Sequence, residues 1–225
     1  MPFRKGDPSL GGRLTLHSGG VSVEDLSFKS GGREVAATLY GGFLSAGVVL
    51  CPPHPLYGGC RHDVRLVSIA RGLASRRISA LCIDYSRYTG GREEVEDALA
   101  ALSYLASRVR ALGLLGYSYG AVVASRAAAA SPVEVRGLVL LSPVRRVDGM
   151  ELDLGSRCPK LLVYGRRDEY VSEGELEEAL SRAEGEVERL ALDTDHFYTG
   201  SGVVELVSRR VTEFFSRRLH MPSNL

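Results

Sequence analysis

The sequence predicts an α/β fold: a mostly parallel, doubly wound sheet with helices on both faces and no cap domain. Three observations carry that expectation. Short apolar runs of strand length alternate along the chain with longer stretches of helical periodicity. The 225 residues, 44% of them hydrophobic, suit one α/β domain with a large core. The residue types that carry chemistry fall just after apolar runs, where such sheets place functional groups.

Taken in order, two leading strands, Val21 to Lys29 and Glu34 to Tyr40, have no helix between them, so an antiparallel start is expected. Strands then follow at Val48 to Cys51, Ala80 to Asp84, Ala111 to Gly116, Gly137 to Ser142, Leu161 to Gly165 and Val187 to Leu192. Helices are expected near Val64 to Arg76, Glu93 to Val109, Tyr119 to Ala130, Glu173 to Glu184 and Gly202 to Leu219. Ala127 to Ala130 reads as part of a packing helix, and no repeat stands out. About eighteen residues separate Ser142 from Leu161, too few for a helical cap, so an open site is expected. Residues 1–20 are glycine-rich and polar, without the apolar core of a secretion signal, and read as a flexible or strand-edge leader. Residues 21–225 form the expected single domain.

Within this frame the most informative stretch is Gly116-Tyr117-Ser118-Tyr119-Gly120. It is a G-x-S-x-G pattern between a strand and a helix, which puts a serine at the apex of a tight turn. Side chains at either glycine would collide with the neighbouring strand or helix, and the hydroxyl is left projecting above the sheet. With 26 glycines in the chain, roughly 0.3 such matches arise by chance, so the strand and helix on either side carry the argument.

A serine hydroxyl needs a base, and the elbow predicts a carboxylate and then a histidine downstream. Of the five histidines only His196 and His220 follow Ser118. His220 lies in the polar C-terminal tail, whereas His196 sits in Asp193-Thr194-Asp195-His196-Phe197-Tyr198, directly after a strand. For the acid, Asp168 lies in the loop that leaves the strand ending at Gly165. Asp195 and Glu169 are the rivals and Asp193 ranks below them. Asp195 adjoins the histidine, and adjacent loop side chains usually point apart, so Asp168 ranks first. Read singly, Ser118 is a turn serine, Asp168 a helix cap or a partner of Arg166 or Arg167, and His196 a packed loop histidine. Jointly, in this order and at strand ends, they read as a catalytic triad.

Acyl transfer also needs donors for a tetrahedral oxyanion. The residue after the nucleophile, Tyr119, offers one backbone N–H. The second is expected in Pro52-Pro53-His54-Pro55-Leu56-Tyr57-Gly58-Gly59, after the strand ending at Cys51. Proline has no N–H, so Leu56 ranks first and Tyr57 second. His54 reads as a structural hydrogen bonder in this turn rather than a second base.

The segments His54 to Gly59, Gly116 to Ala121, Gly165 with Asp168, and Asp195 to Tyr198 resemble small predicted hydrolases of the α/β-hydrolase superfamily, relatives of dienelactone hydrolases and prolyl oligopeptidase catalytic domains. The resemblance spans most of the chain. It departs at Pro52, where the family pattern often has a histidine, and at the elbow, where true dienelactone hydrolases carry a cysteine in place of Ser118. The resemblance implies an α/β-hydrolase fold and hydrolysis of an ester, thioester or amide.

The net charge of +1 gives no electrostatic case for nucleic acid or an anionic membrane, and no apolar run is long enough to suggest integral membrane association. The expected partner is a small-molecule acyl substrate in the cytoplasm, with no cofactor; a homodimer stays open. Cys51, Cys60, Cys82 and Cys158 show no metal-binding spacing, and a bridge involving Cys60 or Cys158 is left open. Glutamine is absent, asparagine occurs only at Asn224, and arginine greatly outnumbers lysine, which fits a thermophilic source. Arg145, Arg146, Asp148 and Met150, with Tyr57, Tyr85, Tyr88, Tyr119 and Tyr170, are candidates for the site border, each weighed against plain surface or rim packing. Arg145 and Arg146 are candidates to meet a substrate carboxylate. The expected activity is that of a serine carboxylesterase on small acyl esters. A thioesterase or aminopeptidase-like hydrolase uses the same parts, and a catalytically silent scaffold is the rival of another class.

Overall fold

The computed structural model describes residues 15–18 and 21–219. Sequence expectations for the rest of the leader, and for His220 and Asn224, lie outside the described residues. A nine-stranded sheet runs in the order β1-β2-β3-β5-β4-β6-β7-β10-β11. Its strands are β1 (Thr15–Ser18), β2 (Val21–Ser30), β3 (Arg33–Tyr40), β4 (Ala46–Cys51), β5 (Ser79–Ile83), β6 (Ala111–Tyr117), β7 (Leu138–Leu141), β10 (Lys160–Gly165) and β11 (Val187–Leu192). The first three strands pair antiparallel with one another and β3 pairs antiparallel with β5, while every pairing from β5 to β11 is parallel. This is the mixed, doubly wound sheet that the alternation predicts.

Parallel strands need helical crossovers, and these cover both faces. Helices α1 (Val64–Ser75) and α5 (Val203–Leu219) pack together on one face. The other face carries α2 (Arg92–Ala106), α3 (Tyr119–Ala130) and α4 (Glu173–Leu180). The central strands are buried along their whole length, and their side chains alternate between two cores. In β4, Ala46, Val48 and Leu50 face α1 and α5, whereas Val49 and Cys51 face the other helices. That two-sided burial is why these strands read as continuous apolar runs.

Glycines on the sheet set how closely α5 approaches. A side chain at Gly113 would meet the Phe215 ring at 2.5 Å, and one at Gly137 would meet Phe214 at 3.1 Å. Both phenylalanines are fully buried. Arg217 and Arg218 on the same helix pair with Glu186 and Glu188 and tie it to the β11 edge.

Between β7 and β10 the chain makes a two-strand ribbon, β8 (Arg146–Val147) and β9 (Met150–Glu151). It has no helix there and therefore no cap. The ribbon and a 3-10 turn at Pro55–Tyr57 are elements that the sequence reading does not include, and β1 falls in the stretch read as a flexible or strand-edge leader. Asp148 and Gly149, both at positive φ (50° and 80°), close the ribbon, and an Asp-Gly pair is a strong local signal for such a turn. Among the described residues no helix is long and apolar enough to cross a membrane. All four cysteines are free, and burial pushes the Cys51 and Cys82 thiols far above their ordinary range.

The Phe215 ring fills the hollow over Gly113, so Phe215→Ala should leave a cavity there and cost about 3–5 kcal/mol in denaturant unfolding. A loss below about 1 kcal/mol would mean that α5 does not depend on this contact.

Candidate active site

The loops that leave the carboxyl ends of β4, β6, β10 and β11 converge above the sheet. Ser118 follows β6 directly and has φ 55° and ψ −115°. For a residue other than glycine this conformation is strained, by an order of 1–3 kcal/mol. The surroundings enforce it. A Cβ at Gly116 would lie 1.9 Å from the Gly120 carbonyl oxygen, and one at Gly120 would lie 2.4 Å from the carbonyls of Cys51 and Pro52. Only glycine lets the strand, the helix and the end of β4 cross so closely. Ser118 N–H donates to Leu141 O at 2.8 Å and its carbonyl accepts from Ala121 N–H at 2.9 Å. The turn is therefore pinned on both sides.

The loops after β10 and β11 are joined by backbone. Parallel pairing of β10 with β11 continues past the strand ends, with Arg166 N–H donating to Leu192 O at 2.8 Å and Arg167 N–H to Thr194 O at 3.0 Å. A side chain at Gly165 would clash with Thr194 O at 2.2 Å. This zipped pair of loops brings Asp168 beside His196. His196 Nδ1 lies 2.8 Å from one Asp168 oxygen and 2.9 Å from the other, and Nε2 lies 2.9 Å from Ser118 Oγ. The two contacts assign the tautomer: Nδ1–H donates to the carboxylate, and Nε2 accepts the serine hydroxyl proton.

Asp168 has a fully buried side chain and His196 is nearly so. Burial acts to raise the Asp168 carboxyl. Hydrogen bonds from His196 and from Tyr170 N–H at 2.9 Å, with the field of the histidine ring, outweigh it and hold the pKa below the ordinary aspartate value. The rival Asp195 turns away, as adjacent loop residues tend to. It accepts N–H groups of Phe197 at 3.1 Å and Thr199 at 2.9 Å, and so shapes the turn that carries His196. Asp193 pairs with Arg167 on the surface.

A layer of hydroxyls supports the His196 loop from below. Tyr117 OH donates to His196 O at 3.0 Å and Ser142 Oγ to the same carbonyl at 3.3 Å. Tyr198, at φ 57°, points inward, where its OH donates to Val163 O at 2.9 Å and accepts from Ser142 N–H at 3.0 Å. Burial raises the Tyr117 and Tyr198 phenols well above their usual values, so both act as neutral donors. The sequence reading does not single out Tyr117, Ser142 or Tyr198 for this support. Tyr117 and Ser142 put hydroxyls at the ends of otherwise apolar strands, which is the signal available, whereas Tyr198 lies in the loop after β11.

The turn at residues 54–59 packs against the start of α3, with the His54 ring 4.7 Å from that of Tyr119. Tyr119 N–H opens α3 and by position has no intrahelical acceptor. Leu56 N–H is not free: it donates to His54 Nδ1 at 3.2 Å, because His54 caps the 3-10 turn. Tyr57 N–H is likewise bonded, to His54 O at 3.1 Å. The second His54 nitrogen, Nε2, lies 3.0 Å from Asp148 Oδ2 on the β8–β9 ribbon. His54 is thus the structural hydrogen bonder of this turn, with its proton on Nε2. Its ring packs 4.7 Å from those of Tyr57 and Tyr119 and 5.2 Å from Tyr88.

Other border candidates divide. Tyr85 OH donates to Pro52 O at 3.1 Å, and Met150 is buried against Gly91. Arg145 and Arg146 are engaged by Glu178 and Glu151, on the ribbon and its neighbouring helix. A groove of about 850 Å³ between β2 and α2, lined by Phe28, Leu99 and Tyr104, shares no residue with the Ser118 region.

No protein-family model and no curated protein matches the sequence. Solved structures do. An esterase from Pyrococcus furiosus is 20% identical, with a TM-score of 0.76 over 89% of this chain and 94% of that one. A dienelactone hydrolase from Anabaena variabilis is 18% identical, with a TM-score of 0.74 over 89% and 99%. An α/β serine hydrolase without lid from Xanthomonas campestris is 22% identical, with a TM-score of 0.66 over 97% and 100%. At these identities the likeness is one of fold: the chain has the α/β-hydrolase fold.

Because the folded pKa of Asp168 is depressed, the stability it contributes is complete above the unfolded value of about 3.9 and is lost as pH falls through the folded value. The stability difference between the wild type and Asp168→Asn should therefore shrink as pH falls below about pH 4. Melting curves of both proteins across that range check this, and a difference that does not change with pH contradicts it.

Proposed function

We propose that this chain, an α/β-hydrolase by fold, is a serine hydrolase that cleaves small acyl esters through Ser118, His196 and Asp168. One observation carries the reading: a single imidazole stands 2.9 Å from the Ser118 hydroxyl and 2.8 Å from a buried carboxylate. An ordinary turn serine, helix-capping aspartate and loop histidine have no reason to form that chain. It is the geometry nucleophilic catalysis needs.

His196 Nε2 takes the proton as Ser118 Oγ attacks the ester carbonyl carbon. Asp168 keeps Nδ1 protonated and stabilises the imidazolium that forms. The oxyanion lies at the N-terminus of α3, where Tyr119 N–H meets it and the helix dipole favours negative charge. Leu56 is the second donor. Its bond to a neutral His54 nitrogen is long, and a charged oxyanion is the stronger acceptor, so the N–H changes partner as charge develops. His196 then protonates the leaving oxygen, and water attacks the acyl-enzyme by the same route in reverse. The open, capless site and the loops' apolar side chains suit modest substrates that approach from solvent.

A fluorophosphonate probe should label the purified protein at Ser118, and Ser118→Ala should abolish the labelling. Asp168→Asn frees His196 to adopt the wrong tautomer and should lower kcat by about 10⁴-fold on an activated ester, with little change in KM. A folded wild type that neither labels nor turns over such an ester rules the reading out.

A further inference from the structure

Large exposed apolar side chains are concentrated at one end of the molecule. Among the described residues, five of the seven, Leu56, Tyr57, Tyr88, Tyr170 and Phe197, stand on loops at the carboxyl ends of the parallel strands. Scattered apolar residues need no explanation, but a cluster around a candidate nucleophile marks a binding surface. The cluster has two parts, one about each of two histidines. Leu56, Tyr57 and Tyr88 lie on the His54 side, whereas Tyr170 and Phe197 flank His196, with ring centroids 4.8 Å and 5.3 Å from its own and 6.4 Å from each other.

Both flanking residues are half-exposed, at 59% and 50%, yet each stands on a fixed turn. Tyr170 N–H donates to Asp168 Oδ1 at 2.9 Å and Phe197 N–H to Asp195 Oδ1 at 3.1 Å, so both turns are tied by carboxylates. The Arg65 guanidinium supports Phe197 at 6.0 Å from the ring and 3.4 Å from its carbonyl oxygen. With the backbone of both turns already fixed, only side-chain rotamers remain to be ordered when a ligand stacks on the rings.

The chemistry fixes which part of a substrate meets them. When the tetrahedral intermediate collapses, the bond from carbon to the alcohol oxygen breaks and that oxygen takes the proton from His196 Nε2. The leaving alcohol must therefore lie beside His196, and the acyl group on the other side of Ser118. We propose that Tyr170 and Phe197 are specificity-determining residues that bind the alcohol portion and favour esters of aryl-bearing alcohols. This rests on the serine-hydrolase reading and assigns its leaving-group side.

The test compares benzyl acetate with ethyl acetate on the full-length wild type, Tyr170→Ala, Phe197→Ala, the double variant and Phe197→Tyr. Both esters give the same acetyl-enzyme from alcohols of similar acidity, so their kcat/KM ratio reports only recognition of the alcohol. The wild type should favour the benzyl ester, and the double variant should lose about tenfold in kcat/KM on it while the ethyl ester stays within about twofold. Phe197→Tyr, which keeps the ring, should preserve the preference. Turnover with an unchanged ratio in the double variant, or a parallel fall on both esters, overturns this proposal alone. Wild type that hydrolyses neither ester and resists fluorophosphonate labelling overturns the serine-hydrolase reading and this proposal with it.

Discussion

The close crossing of backbone at Gly116, Ser118 and Gly120 is the constraint on which the rest of the site depends. Carbonyl oxygens stand where any side chain at the two glycines would have to go, and the serine between them is forced to a positive φ. A conformation that costs an order of 1–3 kcal/mol persists only where its surroundings over-determine it. Here the neighbouring strand β7, the end of β4 and the first turn of α3 do so together. The same crossing lifts the hydroxyl off the sheet and aims the helix N-terminus at the space beside it.

A second constraint builds on the first. Asp168 and His196 stand on loops of different strands, yet the hydrogen-bonded register of β10 and β11 runs on into those loops. The carboxylate and imidazole thus inherit the precision of the sheet. Hydroxyls of Tyr117, Ser142 and Tyr198 satisfy the carbonyls of His196 and Val163 underneath, where the loops dip into the core. A constellation built on strand ends and backed by neutral donors is held in place before any ligand is present.

Much of this was legible in the chain. The parallel strands and the helices between them lie within a few residues of the apolar runs that predict them, because strands buried on both faces must be apolar throughout. The elbow was legible because its glycines answer a local steric demand. The β8–β9 ribbon was not read, although Asp148-Gly149 advertises it, since strands of two residues carry no periodicity. The partner of His54 was beyond reach for another reason: Asp148 lies far along the sequence, and nothing local couples the two. Nor does any pattern report that Leu56 N–H already has an acceptor, because that depends on the rotamer of the histidine two residues before it.

The sequence by itself determined the order of strands and helices, the absence of a cap and the residue types that meet above the sheet. These follow from local sterics, from apolar periodicity and from lengths too short for alternatives. Only the tertiary structure decided which carboxylate faces His196, how Tyr117, Ser142 and Tyr198 brace it, and which aromatic rings stand at its flanks. Those are relations between loops far apart in sequence, brought together by the register of the sheet.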